Sequence, residues 1–213
     1  MASFEIEHFE SIPSTQLYLI DRIRLGYILE NIAVLTDKQI DGIGSRGNSW
    51  IGEYGNIFFS VAIQKKDVPQ DVPIQSLSIY FSIIMKNILF LENRDIFLKW
   101  PNDFYILENK VGGTVTSIVK DFIVIGIGIN RNQSRDFGVI TTALTNLEIF
   151  QKYLDNLENL PSWEMIFEQY LLEFEKSKKF LVNIRGKKVS LQKAMLNFDG
   201  SISLNGETLF SLR

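Results

Sequence analysis

Two lysines and a carboxylate lie close together in Lys99-Trp100-Pro101-Asn102-Asp103 and the following Lys110-Val111-Gly112-Gly113. Pro101 fixes φ and has no N–H, so a strand arriving through Ile96-Phe97-Leu98 must break there. Asn102 and Asp103 suit tight turns, and their side chains can bond backbone or ligand. Strand alternation puts Ile96, Leu98 and Trp100 on one face, and Phe97 with Lys99 on the other. Lys99 and Lys110 flank one short strand, so both ammoniums can converge on a single phosphate or carboxylate. Asp103 between them is the natural proton acceptor or amine-positioning group. Two glycines after Lys110 clear side chains from a place where a ligand can lie against the backbone. The same residues also suit a strand-ending turn with an ion pair, followed by a hairpin with an exposed lysine.

Two other glycine patterns bear on binding. Gly42-Ile43-Gly44-Ser45-Arg46-Gly47 offers backbone N–H groups that can cradle an anion. It lacks the Lys-Ser/Thr pair of a P-loop and the βαβ unit of a dinucleotide fold, and it equally suits a plain loop. Trp50 beyond it can stack a base, close a pocket or pack in the core. In Gly126-Ile127-Gly128-Ile129-Asn130, alternate glycines strip one strand face, and Asn130 can donate and accept at the exit. Close packing of a helix across that strand is the competing reading.

These groups need a scaffold, and the periodicities supply one. Ser14 or Thr15 caps a predicted helix running to about Glu30, with Leu17, Ile20, Leu25 and Ile28 at roughly helical spacing. Ile32–Leu35 and Ile57–Ile63 read as strands. Ile74–Leu91 reads as a buried helix, because Gln75, Ser76, Ser78, Ser82, Lys86 and Asn87 interrupt its apolar run. Ile96–Trp100, Phe104–Leu107, Thr114–Val119 and Phe122–Ile129 read as strands of a meander. Helices follow from Thr141 to about Leu181, with Pro161 and Ser162 marking a start. From Val182 onward Asn197-Phe198-Asp199-Gly200 and Asn205-Gly206 signal tight hairpins. Roughly thirty residues cannot bury a core alone, so this β module must pack on the rest. The pattern implies an α+β fold, a mixed or mainly antiparallel sheet flanked by helices. A domain spanning residues 1–181 and a small β domain spanning 182–213 are expected.

Composition narrows the chemistry. At 213 residues and 46% hydrophobic, the chain suits one main domain with a real core and a small appendage. A net charge of −3 gives no general affinity for nucleic acid or anionic membrane. With no cysteine and one histidine, His8, Cys-based zinc sites, thiolate nucleophiles and multi-histidine metal clusters are excluded. Met1-Ala2-Ser3-Phe4-Glu5 lacks the basic and apolar segments of a secretory leader, so a cytoplasmic location is expected.

In combination the motifs resemble the biotin protein ligases, also called biotin–[acetyl-CoA-carboxylase] ligases. The resemblance rests on Ser14-Thr15-Gln16, Gln39 with the glycine loop and Trp50, Lys99–Asp103, Lys110–Gly113 and Gly126–Asn130, in family order. It implies a class II synthetase-like catalytic domain with an SH3-like C-terminal module. It also implies two half-reactions: biotin and MgATP give biotinyl-5′-AMP, and a lysine of a biotin carboxyl carrier protein then takes the biotinyl group. By position, Ser14, Thr15, Gln16 and Gln39 would hold biotin with Ile43, Gly44 and Ser45, over Gly112, Gly113 and Gly128. Lys110 would meet the biotin carboxylate and α-phosphate, and Lys99 would add positive potential. Arg46, Trp50, Asn102, Asp103 and Asn130 would organise the nucleotide, with Asp103 also orienting the carrier amine. Magnesium would arrive with ATP rather than on protein ligands. The family's optional DNA-binding domain has no room before Ser14, so no DNA partner is expected, and no membrane. A homodimer paired through strand edges is compatible with the resemblance.

One departure stands out. Ile43 and Ser45 occupy positions where the family usually carries arginines, and a hydroxyl supplies neither charge nor fork. Either Arg46 compensates or the intermediate is held loosely. A lipoate-type protein ligase and a non-catalytic biotin or adenylate binder are the alternatives.

Overall fold

The computed structural model describes residues 3–44, 49–50, 52–131, 137–184 and 186–210. Strands β1 (Glu5–Phe9), β2 (Ile32–Thr36), β5 (Ile57–Gln64), β6 (Ile96–Lys99), β7 (Asp103–Ile106), β8 (Asn109–Val119) and β9 (Phe122–Ile129) form one seven-stranded sheet. Their order is β1-β2-β5-β9-β8-β7-β6; β1 runs parallel to β2 and every other pair is antiparallel. The expected mixed, mainly antiparallel sheet is therefore present. Strand β1 escapes periodicity, because Glu5-Ile6-Glu7-His8-Phe9 lies at the sheet edge and is mostly exposed.

The sheet has two different faces. On one, Phe59, Val61, Ile63, Ile123, Ile125, Ile127 and Ile129 join the main core with α2 (Leu77–Glu92), α3 (Asn146–Leu157) and α4 (Trp163–Ser177). The helical run Ile74–Glu92, which contains α2, is apolar enough to cross a membrane by length and composition, yet 72% of its most apolar stretch is buried in the fold. On the opposite face, Ala62, Val119, Phe122 and Val124 pack with Leu19, Ile20 and Ile23 of α1 (Thr15–Leu25). This apolar cover stops at Val124, and the next residues of β9 on the same face are Gly126 and Gly128.

Helix α1 ends earlier than its apolar spacing implies. Gly26 takes a left-handed conformation (φ 81°), and the Gly26 and Tyr27 N–H groups bond back to Ile23 O and Arg22 O. The helix-stop glycine overrides the periodic Ile28. Two short strands, β3 (Gly42–Ile43) and β4 (Ser49–Trp50), pair beside α1.

The C-terminal strands β10 (Leu181–Ile184) and β11 (Lys187–Ser190) form a hairpin. Strands β12 (Met195–Leu196), β13 (Ile202–Leu204) and β14 (Glu207–Leu209) form a three-stranded sheet, consistent with an SH3-like module. Asn205 (φ 53°) and Gly206 (φ 81°) make the tight turn that the Asn-Gly pair predicts. As expected from its size, the module lends Val182, Leu191, Ala194, Ile202 and Leu204 to the main core. Trp163 Nε1 donates to Phe198 O (2.7 Å) and Trp100 Nε1 to Gly200 O (3.2 Å), fixing the Asp199-Gly200 turn on the larger unit.

Candidate active site

The site begins at the β6–β7 turn. Lys99 lies opposite Asp103 in register, and the Trp100–Pro101 peptide within the turn is cis. Asn102 closes it: its Nδ2 donates to Thr114 O, and Thr114 N donates to Asn102 O (3.0 Å). Asp103 then faces Gly113 on β8, while Tyr105 faces Lys110. Between these two pairs β7 has one residue, Phe104, and β8 has two, Gly112 and the extra Val111. This bulge turns Lys110 onto the same face as Asp103 and Gly113.

The geometry that results is compact. Lys110 Nζ lies 2.7 Å from Asp103 Oδ1, with both side chains about one-fifth exposed (22% and 21%). Gly113 leaves room for the pair, since a Cβ there would sit 3.3 Å from Asp103 Oδ1 and 3.8 Å from Lys110 Cε. Lys99 is buried on the same face and donates to Tyr105 Oη (3.3 Å), with its ammonium over the Tyr105 and Phe180 rings. Burial lowers the Lys99 pKa, and Lys110 pushes the same way, against the opposing pull of Asp103. Burial, with Asp103 nearby, raises the Tyr105 phenol to about 12, so it stays protonated at neutral pH. Two cations and one carboxylate thus share a partly dehydrated corner.

From that corner a floor without side chains runs along the sheet. Gly113 pairs with Gly128, and Gly126 pairs with Ser60. The Trp50 indole lies above Gly128, where a Cβ would come within 3.0 Å of it, and its ring is 5.6 Å from Lys110 Nζ. Phe137 stacks on the outer side of Trp50, at 6.0 Å and 10°. At the far end Thr15 Oγ1 bonds Gln39 Oε1 (3.1 Å) and Ser60 Oγ (2.8 Å), and Gln16 Nε2 donates to Ser117 Oγ (3.2 Å). Gln16 also lies over Gly126, where a Cβ would be 2.8 Å from its Oε1. Gly42 admits Gln39 in the same manner, with Nε2 at 2.6 Å from a Cβ position.

Three buried polar atoms at this site have no partner among the described residues: Trp50 Nε1, Asn102 Oδ1 and Asn130 Nδ2. Buried polar groups are nearly always paired, so such atoms mark places a polar ligand can fill. Asn130 is otherwise fixed, its N–H on Val111 O (2.8 Å) and its carbonyl accepting from Ile140 N (2.9 Å).

The sequence-predicted residues are not equivalent in the structure. Lys99, Asp103, Lys110, Gly113, Gly128 and Trp50 come together at one end, and Thr15, Gln16 and Gln39 at the other. Ser14 is buried, and its hydroxyl caps α1 by accepting from Leu17 N (3.3 Å). Gly112 departs from expectation: a Cβ there would meet Gly128 O at 2.6 Å and the Phe104 ring at 3.1 Å. Its missing side chain serves strand and core packing, because strand alternation puts it on the face opposite Gly113. Ile43 ends β3 and Gly44 follows it, both half-buried, while Ser45 and Arg46 lie outside the described residues. Tyr105, Phe137, Phe180 and Ser60 were not foreseeable as site residues. Their only sequence signal is the aromatic and hydroxyl character they share with core positions.

Against known proteins, the biotin/lipoate A/B protein ligase family matches residues 8–130. The solved structure of biotin acetyl coenzyme A carboxylase synthetase from Helicobacter pylori, with bound biotinylated ATP, superposes with a TM-score of 0.93 at 33% identity. That match covers 98% of this chain and 100% of the other. The bifunctional ligase/repressor BirA of Salmonella typhimurium is 33% identical over 131 residues, 58% of this chain and 40% of BirA. The biotin–[acetyl-CoA-carboxylase] ligase of Mycobacterium tuberculosis is 26% identical over 125 residues, 57% of this chain and 47% of that one. The chain thus spans less than half the length of these two relatives.

Proposed function

This chain belongs to the biotin/lipoate A/B protein ligase family, and we propose that it activates biotin with ATP and transfers the biotinyl group to a carrier-protein lysine. The observation that carries this reading is the glycine-floored face running from the Thr15–Gln39 end to the Lys110–Asp103 pair. A flat bicyclic ring with a short carboxylate chain fits such a face. Its polar ring would be read by Thr15, Gln16 and Gln39, and its carboxylate would end at Lys110. The Helicobacter pylori relative, solved with biotinylated ATP, supports the same assignment.

In the first half-reaction a biotin carboxylate oxygen attacks the α-phosphorus of ATP. The P–O bond to pyrophosphate breaks, leaving the mixed anhydride biotinyl-5′-AMP. Both reactants are anionic, so the main task of the protein is to hold them together and offset their repulsion. Lys110 does this at the reacting atoms, and Lys99 adds a second positive charge behind it. Asn102 Oδ1, Asn130 Nδ2 and Trp50 Nε1 are the free polar atoms for the nucleotide, and the Trp50 ring covers the bare strand beneath. Magnesium comes with ATP as part of the substrate; among the described residues no group of three His, Cys, Asp or Glu side chains could hold it.

In the second half-reaction a carrier lysine amine attacks the anhydride carbonyl, forming the amide and expelling AMP. Asp103, the carboxylate beside Lys110, would orient that amine and take its proton. The carrier fitting this product is the biotin carboxyl carrier protein of acetyl-CoA carboxylase, and a cytoplasmic setting would supply ATP and carrier together. Biotin-dependent exchange of labelled pyrophosphate into ATP, with lipoate as competitor, tests the reading. Exchange that needs biotin and resists lipoate is expected; exchange driven by lipoate alone would overturn the choice of acid.

A further inference from the structure

Strand β6 ends the sheet, so its outward amides have no strand partner. Helix α4 takes that place with two side chains. Glu173 Oε2 accepts from Leu98 N (2.8 Å), and Ser177 Oγ accepts from Trp100 N (3.0 Å). The match is geometric: a helix rises about 6 Å over four residues, and a strand advances about 6.6 Å over two. The other Glu173 oxygen lies 3.1 Å from Lys86 Nζ on α2 and 3.3 Å from Lys176 Nζ. Glu173 is 4% exposed and Lys86 8%, so the pair is dehydrated. Edge amides are ordinarily satisfied by water or a neutral group. A buried carboxylate is a costly way to do it, and one whose clearest use is to select a single arrangement.

The residue between the two gripped amides is Lys99. Its side chain points to the opposite face and lies over Phe180, just past the end of α4. Beyond Trp100 comes the turn that delivers Asp103 to Lys110. Any slip of β6 along α4 therefore moves Lys99 and that turn together. We propose that Glu173 and Ser177 are positioning residues for the reaction, fixing the register of the Lys99–Asp103 turn relative to Lys110. This rests on the ligase reading above.

Two double variants that both remove the buried Lys86–Glu173 ion pair and both keep the exposed Lys176 isolate the Leu98 hydrogen bond. Glu173→Gln with Lys86→Met keeps an acceptor oxygen without the ion pair. Glu173→Leu with Lys86→Met keeps volume and removes the acceptor. In biotin-dependent pyrophosphate exchange, the Leu variant is expected to lose about tenfold in kcat relative to the Gln variant. Its KM for biotin should stay within about twofold, since Thr15 and Gln39 lie on the sheet face opposite α4, and its Tm should fall below that of the Gln variant because the buried Leu98 N–H loses its acceptor. Ser177→Ala, which removes only the Trp100 contact, should show the same split between kcat and KM. Equal kcat in the two double variants, or an equal loss of kcat in Leu154→Ala, which destabilises the core from α3 without touching the Leu98 contact, would overturn the proposal. Amide hydrogen exchange at Leu98 and Trp100 needs no substrate and separates the two readings. If the wild type shows no exchange activity the ligase reading falls, while faster amide exchange in the Leu variant still reports the grip. Unchanged amide exchange would show that no grip exists.

Discussion

Lys110 reaches Asp103 because β8 carries Val111 as an extra residue opposite β7. Without that bulge, alternation would place Lys110 and Gly113 on opposite faces. The pairing of chemical groups was legible in the sequence, since Lys99, Asp103 and Lys110 lie close along the chain; the face was not, because periodicity cannot register one inserted residue. Lys110→Ala should lower biotin-dependent pyrophosphate exchange by about a hundredfold or more, the scale of removing one group that stabilises developing charge. An exchange rate near wild type would remove Lys110 from its role. Lys99 makes a separate point through stability. Burial depresses its folded-state pKa below the unfolded value of about 10.4. Below the folded pKa both states are protonated, and the cost of burying the charge is fully present. As pH rises from the folded pKa toward 10.4 the unfolded state binds more protons, and stability increases. Lys99→Met should therefore be more stable than wild type at pH 7, with the gap closing as pH approaches 10. Urea-unfolding midpoints across that range check it; a constant gap would show that the ammonium carries no burial cost. The burial of Lys99 was not readable, because Phe180, which covers it, comes from a distant part of the chain.

At the scale of elements, β9 divides its labour by alternation. Ile123, Ile125, Ile127 and Ile129 fill the main core, while Phe122 and Val124, then Gly126 and Gly128, face α1. The change from bulky to bare residues is where packing gives way to binding, and the sequence displayed it openly. The same alternation sends Gly112 to the face opposite Gly113, which reading the two glycines as one motif obscured. This difference is measurable. Gly126→Ala meets side-chain ends alone, the Gln16 amide at 2.8 Å and Val115 Cγ2 at 3.1 Å, so its Tm should fall by no more than a few degrees while the KM for biotin rises several-fold. Gly112→Ala meets the Gly128 carbonyl at 2.6 Å, which cannot move without breaking the β8–β9 pairing. A loss of about 1–3 kcal/mol in stability is expected, typical of overpacking. Reversed effects in thermal melts and biotin titrations would mean that the faces are assigned wrongly. Edge strand β1 was missed for a different reason: half-exposed, charged strands lack the apolar alternation that identifies one.

For the whole molecule, the C-terminal module was evident from its Asp-Gly and Asn-Gly turns, but where it docks was not. Its Asp199-Gly200 turn sits against Trp100, inside the motif that carries Lys99 and Asp103, and against Ser76 and Trp163. Gly200 has φ 78° and no space toward Ser76, so Gly200→Val should unseat the turn and lower Tm by several degrees. An unchanged melt would detach the module from the stability of the main unit. The same sheet, helices and module converge on one corner, the place proposed for joining an acid to a nucleotide without an enzyme nucleophile. The decisive measurement is mass spectrometry of an apo biotin carboxyl carrier domain after incubation with this protein, biotin and MgATP. The expected result is one biotinyl group on a single carrier lysine, with AMP and pyrophosphate released and no transfer when ATP is omitted. A carrier of unchanged mass, under conditions where an active biotin ligase modifies it, would contradict the assignment of this chain as a biotin-transferring enzyme.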